Sequence, residues 1–211
     1  MPIAIVGAGG QGKVVRDLLR TGGQFRVVGF FDRNAGQLPP GESVLGTEED
    51  LIRGWRELGI TEAVAAVGSN AIRKRIFQDL LQAGLELPAL IHPRATVSPE
   101  ARIGPGTVVC GHAFIGPGAA IGANCIVNTA ANIDHDCILS DSVHVCPGVN
   151  MAGGVSVGEG ALLGTGANII PGIRIGAWAI IGAGSAVIRD VPESVTVVGV
   201  PARPVNQRGC S

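Results

Sequence analysis

An unbroken repeat of six residues runs through the second half of this 211-residue chain. Every sixth position from Ile91 to Val187 is aliphatic or methionine. Four residues after each of these positions comes a second, mostly small residue, as at Ala95, Ala101, Thr107, Ala113, Ala119, Cys125, Ala131 and Cys137. A period of six fits neither an α-helix nor a simple hairpin. It is typical of a parallel β-helix, in which each hexapeptide makes one short strand and one turn.

In such a β-helix, about three hexapeptides form one coil of about eighteen residues, so the repeat predicts roughly five coils. The aliphatic side chain of each hexapeptide points inward, and the second inward position is small because the prism is narrow. We therefore expect Cys125 and Cys137 to pack as apolar core residues. Glycine often follows the aliphatic residue directly, and we expect glycine to relieve strain where the chain turns a corner.

Composition excludes several classes of protein. The 33 glycines lack the every-third-residue spacing of collagen, and abundant aliphatic residues argue against disorder. With 16 basic and 17 acidic residues, no nucleic-acid-binding face is expected. Five cysteines without a C-x-x-C pair indicate reduced thiols in a cytoplasmic protein. The N-terminus has no basic stretch or long apolar run, so we expect neither a signal peptide nor a membrane span.

The first ninety residues have a different pattern. The sequence MPIAIVGAGGQGKVVRDLLR predicts a strand, a glycine-rich turn and a helix, with Gly7, Gly9 and Gly12 in a G-x-G-x-x-G arrangement. FRVVGFFD and EAVAAVG predict two further strands, and SNAIRKRIFQDLLQAG a second helix. The result is a Rossmann-like βαβαβ unit, which we place at residues 1–88, before a β-helix domain at 89–211.

The glycine-rich turn predicts an anion site, because free backbone N–H groups there meet a helix N-terminus. Asp32 ends the second strand, where its carboxylate could accept hydrogen bonds from a ribose or a base. The unit has half the size of a full dinucleotide fold and nothing downstream offers a hydride-transfer site, so a mononucleotide ligand fits better than NAD. The alternative is a turn whose glycines serve packing alone.

The repeat and the ending VVGVPARPV resemble the hexapeptide-repeat acyltransferases, whose β-helices are left-handed. With the N-terminal GAGGQGK, the chain resembles the sialic acid O-acetyltransferase-like sugar acyltransferases, best known for N-acetylating UDP- or dTDP-4-amino-sugars in surface-glycan biosynthesis. Gln11 stands where that family typically has His. The resemblance implies nucleotide-sugar contacts at Gly9, Gly10, Gln11, Asp32, Arg33 and Gly68, with Asn70 and Arg73 as weaker candidates.

The segment NTAANIDHDC, residues 128–137, matches that family's motif around the catalytic base. An amine attacking a thioester must lose a proton, and imidazole titrates near neutral pH. We assign His135 as the general base and Asp136 as the carboxylate that holds its tautomer, with Asp134 as the alternative partner. Asn128, the first residue of the motif, is assigned to the substrate.

The same resemblance implies acetyl-CoA as co-substrate and a homotrimer with active sites between subunits. One coil above His135 lies Gly153, a candidate backbone N–H donor to the developing oxyanion. His144 is expected on a different face of the prism, meeting His135 across a subunit boundary. His144 and the backbone near Thr165 and Ala183 would line the acetyl-CoA site. No acyl-enzyme is expected, although Cys137 is only two residues from His135.

Three alternatives remain open. A zinc site of the γ-carbonic anhydrase kind would need His112, His135 and His144, but their spacing lacks the close histidine pair of such sites, so we expect no metal. O-acetylation of sialic acid or of another surface-glycan sugar would use the same base. A non-catalytic nucleotide-binding scaffold would leave the His-Asp pair as a solvated surface feature.

Overall fold

The computed structural model describes residues 1–34, 38 and 40–205. The N-terminal elements are β1 (Pro2–Val6), α1 (Gly10–Gly22), β2 (Arg26–Phe31), β3 (Val44–Gly46), α2 (Glu48–Gly54), β4 (Glu62–Ala65) and α3 (Asn70–Gln82). The four strands form a parallel sheet of order β3-β2-β1-β4. None of the described helices is long and apolar enough to cross a membrane.

The two faces of this sheet belong to two separate cores, because side chains alternate along β1. Ile3 and Ile5 pack with α1, and Ala4 and Val6 pack with α2 and α3. The sequence prediction of a βαβαβ unit is confirmed, but it missed β3 and α2. A capping box in which Thr47 and Asp50 exchange hydrogen bonds begins α2, and this T-x-x-D signal was readable in the sequence.

The rest of the described chain is a parallel β-helix with three faces. The first face contains β5 (Leu90–Ile91), β8 (Val108–Val109), β11 (Ile126–Val127), β14 (His144–Val145), β17 (Leu162–Leu163), β20 (Ile180–Ile181), β22 (Thr196–Val198) and the antiparallel β23 (Arg203–Pro204). The second contains β6 (Thr96–Val97), β9 (Phe114–Ile115), β12 (Asn132–Ile133), β15 (Asn150–Met151), β18 (Asn168–Ile169) and β21 (Ala186–Val187). The third contains β7 (Arg102–Ile103), β10 (Ala120–Ile121), β13 (Ile138–Leu139), β16 (Ser156–Val157) and β19 (Arg174–Ile175).

Successive coils stack with a register of eighteen residues, as where Ile126 pairs with His144 and Ile133 with Met151. The aliphatic positions fill the interior together with the small ones, including Cys125 and Cys137, as predicted. Ile91 is the exception among the repeat positions: it is 44% exposed because no coil precedes it. The last coil is shorter, since Thr196 pairs with Ile180 only sixteen residues earlier.

Glycine has two separate functions at the corners. Residues with φ near +60° recur three positions after the aliphatic residue, for example Gly106 and Gly118, and also Asp136 and Trp178. The glycines directly after the aliphatic residue, such as Gly104, do not have positive φ. A Cβ there would overlap the backbone of the next coil. The predicted strain relief therefore applies to the first set, and close stacking explains the second.

Candidate active site

His135 projects from the corner between the second and third faces, directly after β12. Its carbonyl accepts a hydrogen bond from Gly154 N–H at 2.9 Å, so the next coil fixes its backbone. Its own N–H donates to Asp134 Oδ1 at 2.7 Å. The side chain is 57% exposed, which leaves the imidazole accessible to a substrate.

The imidazole is held by one carboxylate. His135 Nδ1 lies 2.8 Å from Asp136 Oδ2, so Nδ1–H donates to Asp136 and Nε2 keeps its lone pair. This hydrogen bond raises the pKa of His135, and the nearby charge of Asp134 raises it further. Because Asp134 binds the His135 backbone instead of the ring, Asp136 is the imidazole partner in this structure.

Gly153 lies against the imidazole, in the next coil of the stack, as the eighteen-residue register predicts. A Cβ at Gly153 would overlap His135 Nε2. Ala123, Ala177 and Ala183 occupy the equivalent position in other hexapeptides, so the backbone itself accepts a Cβ there. Within the described chain no group accepts a hydrogen bond from Gly153 N–H. Gly153, whose N–H has no acceptor among the described residues, therefore lies beside the free imidazole nitrogen.

Cys137 is close to His135 in sequence but points the other way. Its side chain is completely buried in the prism, with Sγ 3.3 Å from Ala152 O. Burial raises its pKa. A thiol that faces the core and resists ionisation does not have the character of a nucleophile.

The glycine-rich turn after β1 contains two kinds of glycine. A Cβ at Gly7 would overlap Ala66 O and one at Gly12 would overlap Gly7 O, so the fold itself requires both. Gly9 and Gly10 have no atom within 4 Å of such a Cβ, and neither has Gly68, which follows β4. These three are exposed at the carboxyl ends of neighbouring parallel strands. Packing does not explain them, whereas a closely approaching ligand would.

Asp32 closes the same turn. Its carboxylate accepts hydrogen bonds from Ala8 N–H at 2.7 Å and from Asn34 N–H at 2.9 Å. Arg33 is exposed and paired with Glu49. Asp32 and Arg33 line a cavity of about 340 Å³ that also includes Val67, Ile72, Ile76 and Arg75. Gln11 Nε2 is buried and has no hydrogen-bond partner among the described residues.

His144, an acetyl-CoA candidate, lies beside two of the nucleotide-sugar candidates, Asn128 and Gly68. It is only 9% exposed, and its Nε2 lies 3.5 Å from Asn128 Nδ2. Burial lowers its pKa to about 4, the charge of Arg73 adds to this, and the Gly68 carbonyl opposes it. His144 is therefore a neutral imidazole between the loop after β4 and the first face. The expectation that it lies on a different face from His135 is confirmed.

Thr165 and Ala183 are exposed at the corner between the first and second faces, and Gly184 N–H donates to Thr165 O at 2.8 Å. Within one chain they do not meet His135, because the whole second face separates the two corners. His112 lies at the corner between the first and second faces and lines another cavity with Lys13. No group of three His, Cys, Asp or Glu side chains suited to a metal occurs within residues 1–34, 38 and 40–205.

The comparisons with known proteins agree with this geometry. Residues 2–80 match the family described as PglD N-terminal domain. A perosamine N-acetyltransferase variant from Caulobacter crescentus, in complex with CoA and GDP-perosamine, is 40% identical, with a TM-score of 0.94 over 98% of both chains. The chain belongs to this family of sugar N-acetyltransferases. Its β-helix is accordingly left-handed, as predicted.

Two further relatives of the sugar N-acetyltransferase family extend the comparison. The acetyltransferase domain of PglB from Neisseria gonorrhoeae FA1090, in complex with acetyl coenzyme A, is 38% identical, with a TM-score of 0.92 over 97% of this chain and 98% of that one. UDP-N-acetylbacillosamine N-acetyltransferase from Bacillus subtilis (strain 168) is 43% identical over 103 residues. This match spans 48% of the chain and 48% of that curated relative, about half its length.

Asn70 and Arg73 are not on a ligand-accessible surface, contrary to their weaker assignment to the nucleotide sugar. Asn70 Nδ2 donates to Gly160 O at 2.9 Å, and Arg73 is 1% exposed. Both join α3 to the β-helix. Sequence reasoning missed this role because a polar residue on a predicted helix is ordinarily read as part of its solvated side.

Proposed function

We propose that this protein transfers an acetyl group from acetyl-CoA to the amino group of a nucleotide-linked sugar, with His135 as general base. The observation that carries the proposal is the orientation of this imidazole. Nδ1 is bound to Asp136, while Nε2 has no partner among the described residues and lies against Gly153. A neutral substrate amine that passes its proton to Nε2 as it attacks would form its new bond next to Gly153, whose N–H has no acceptor among the described residues.

In the proposed reaction, the amine nitrogen attacks the thioester carbonyl while its proton passes to His135 Nε2. The oxyanion that develops accepts a hydrogen bond from Gly153 N–H. The C–S bond then breaks, the C–N bond remains, and CoA leaves as a thiolate that takes up the proton held by His135. Asp136 stabilises the imidazolium between the two proton transfers. Buried Cys137 takes no part, so no acyl-enzyme forms.

We assign the nucleotide diphosphate to the surface formed by Gly9, Gly10 and Gly68. Support comes from the absence of any packing reason for glycine at these positions and from their place at the carboxyl ends of β1 and β4. Gln11 has a buried amide nitrogen without a partner among the described residues, and we assign it to the sugar or its phosphate. Asp32 holds the turn in shape, and Arg33 lines the neighbouring cavity of about 340 Å³, which we assign to the nucleotide base.

The acetyl-CoA site is proposed to form between subunits of a homotrimer. His135 and Gly153 lie at one edge of the second face, and Thr165 and Ala183 lie at the other. Copies related by a threefold axis would place the His135 edge of one chain against the Ala183 edge of its neighbour. His144 and Asn128, on the adjoining first face, would then lie near the thioester and the sugar.

Which nucleotide the sugar carries is a separate question. The sequence suggested UDP or dTDP, whereas relatives of the family act on a UDP-sugar in one case and bind GDP-perosamine in another. The test should therefore offer 4-amino-sugars linked to UDP, dTDP and GDP, with acetyl-CoA. Release of free thiol reports turnover. We expect one amino-sugar to turn over, and we expect His135→Ala to lose at least about a hundredfold in kcat.

Two results would contradict the proposal. Thiol release with a hydroxyl sugar but with no amino-sugar would move the protein to O-acetylation. Undiminished turnover by His135→Ala, with the fold checked by circular dichroism, would remove the assigned base. A cytoplasmic location follows from the proposed substrates, since both acetyl-CoA and nucleotide sugars are made there.

A further inference from the structure

Arg73 is a buried cation that has only neutral partners. Its Nη1 donates to Val67 O at 3.1 Å and lies 3.4 Å from Gly68 O. On its other side, Nε donates to Asn124 O at 3.1 Å and Nη2 donates to Ser142 O at 2.9 Å. In the described part of the chain, none of its partners is a carboxylate. Buried charges in proteins are normally paired, so this one stands out.

These four carbonyls lie on two different parts of the molecule. Val67 and Gly68 form the loop after β4, which we assign to the nucleotide diphosphate. Asn124 and Ser142 lie at equivalent corners of successive coils, and Ser142 comes two residues before His144. One planar side chain therefore sets the distance between the nucleotide loop and the strand that carries His144.

From this arrangement we propose that Arg73 is a positioning residue for the nucleotide sugar. It holds the Gly68 loop against the β-helix, and its charge is balanced by the diphosphate when the substrate binds on the outer side of that loop. The inference rests on the proposed function, which places the diphosphate at Gly68. It assigns Arg73 no contact with the substrate, since the guanidinium has almost no exposed surface.

The electrostatic surroundings agree with this role. Burial lowers the pKa of Arg73 to about 10, so the guanidinium is still charged at neutral pH but is poorly solvated. A dianionic ligand near Gly68 would relieve this cost, and the exposed loop provides the access. Lysine would keep the charge but could not reach four carbonyls in one plane.

The test measures binding of UDP, GDP and dTDP by calorimetry, separately from turnover. We expect Arg73→Lys to weaken binding of the preferred nucleotide about tenfold or more, because charged hydrogen bonds to the loop are lost. The KM for acetyl-CoA should change less than the nucleotide affinity, because within the described chain Arg73 bonds no residue at the edge that carries Thr165 and Ala183. Arg73→Met should weaken nucleotide binding further.

Lys74→Met is the matched control. Lys74 also joins α3 to the β-helix, through Glu159 at 2.5 Å, but it does not bond to the Gly68 loop. We expect it to bind nucleotide like the wild type. Equal losses in Lys74→Met and Arg73→Lys would show that general docking matters and would overturn the positioning role, as would unchanged binding in Arg73→Lys.

A measurement on the wild type keeps the proposal testable if the Arg73 variants do not fold. Amide hydrogen exchange with and without the nucleotide should show protection in two places, at residues 67–69 and at residues 142–145, because Arg73 ties them together. Protection confined to residues 67–69 would overturn the proposal. If the wild type bound no nucleotide at all, the assignment of the nucleotide site would itself fail, and the Arg73 role with it.

Discussion

At the scale of single residues, the two carboxylates beside His135 have different functions. Asp136 binds the ring nitrogen, and Asp134 binds the backbone of the same residue. Both raise the pKa of the imidazole, and the hydrogen bond that His135 donates to Asp136 is the larger cause. The base is active only when neutral, so a raised pKa places the acid limb of the pH–rate profile at a higher pH.

Asp136→Asn should therefore move the acid limb of kcat/KM to lower pH, because the pKa of His135 falls when its main partner loses its charge. The plateau rate should also fall, since the imidazolium is less well stabilised. Asp134→Asn serves as the control and should shift the limb in the same direction by a smaller amount. A larger shift in Asp134→Asn would make Asp134 the functional partner.

Gly153→Ala tests the space under the imidazole. We expect a stable protein, since alanine occupies the equivalent position at Ala123 and Ala177, but activity reduced by about a hundredfold or more because Nε2 is displaced. Thermal unfolding and thiol-release kinetics measure the two effects. Full activity in this variant would mean that the imidazole works from another rotamer.

At the scale of elements, the loops that end β1 and β4 carry glycines that packing does not need. Gly68→Ala should leave the unfolding midpoint unchanged and weaken nucleotide binding by about tenfold, because the new methyl group meets only the ligand. Gly54→Ala in α2 is the matched control, since its added Cβ would also meet nothing within 4 Å. Equal nucleotide affinity in the two variants would contradict the assignment of Gly68.

The elements also show what a sequence can predict. The six-residue period predicted the inward positions, because one rule repeats along the chain. It also predicted that His135 and Gly153 lie in adjacent coils and that Cys125 lies in the core. The three-residue β3 was too short to show a period. The contacts of Arg73 depend on how α3 docks on the coils, and no local pattern records that docking. The acetyl-CoA candidates do not form one group, because His144 is buried on the first face and Thr165 and Ala183 lie at an exposed corner. This became visible only once each residue was assigned to a face of the β-helix.

At the scale of the whole molecule, the docking of the sheet on the β-helix buries His144 and makes stability depend on pH. The pKa of His144 is lowered to about 4 from an ordinary value of 6.5. Between these values the unfolded chain binds a proton that the folded chain does not, so stability falls as pH drops through that window. Urea unfolding at pH 7, 5.5 and 4.5 should show the loss, and His144→Gln should reduce the slope. The exposed His112→Gln is the control, and an equal slope in all three proteins would contradict the argument.

The proposed assembly predicts a sedimentation mass near three times the chain mass of 21.4 kDa. It also predicts complementation. His135→Ala and Ala183→Trp should each be inactive, but refolding them together should restore part of the activity, because some interfaces then combine an intact His135 edge with an intact Ala183 edge. A mass near one chain, or mixed protein without activity, would contradict sites formed between subunits.

Helix α3 lies along corners of several coils at once. Phe77 packs against Gly106, Arg73 bonds at Asn124 and Ser142, and Asn70 bonds at Gly160. The coils rise by about 4.8 Å each, so the corners that α3 contacts are spaced at intervals of one coil. The contacts of α3 span three such intervals. Adding or deleting one coil between residues 106 and 160 would move several of these corners away from their partners on α3 together. The contacts of α3 therefore fix the number of coils between residues 106 and 160.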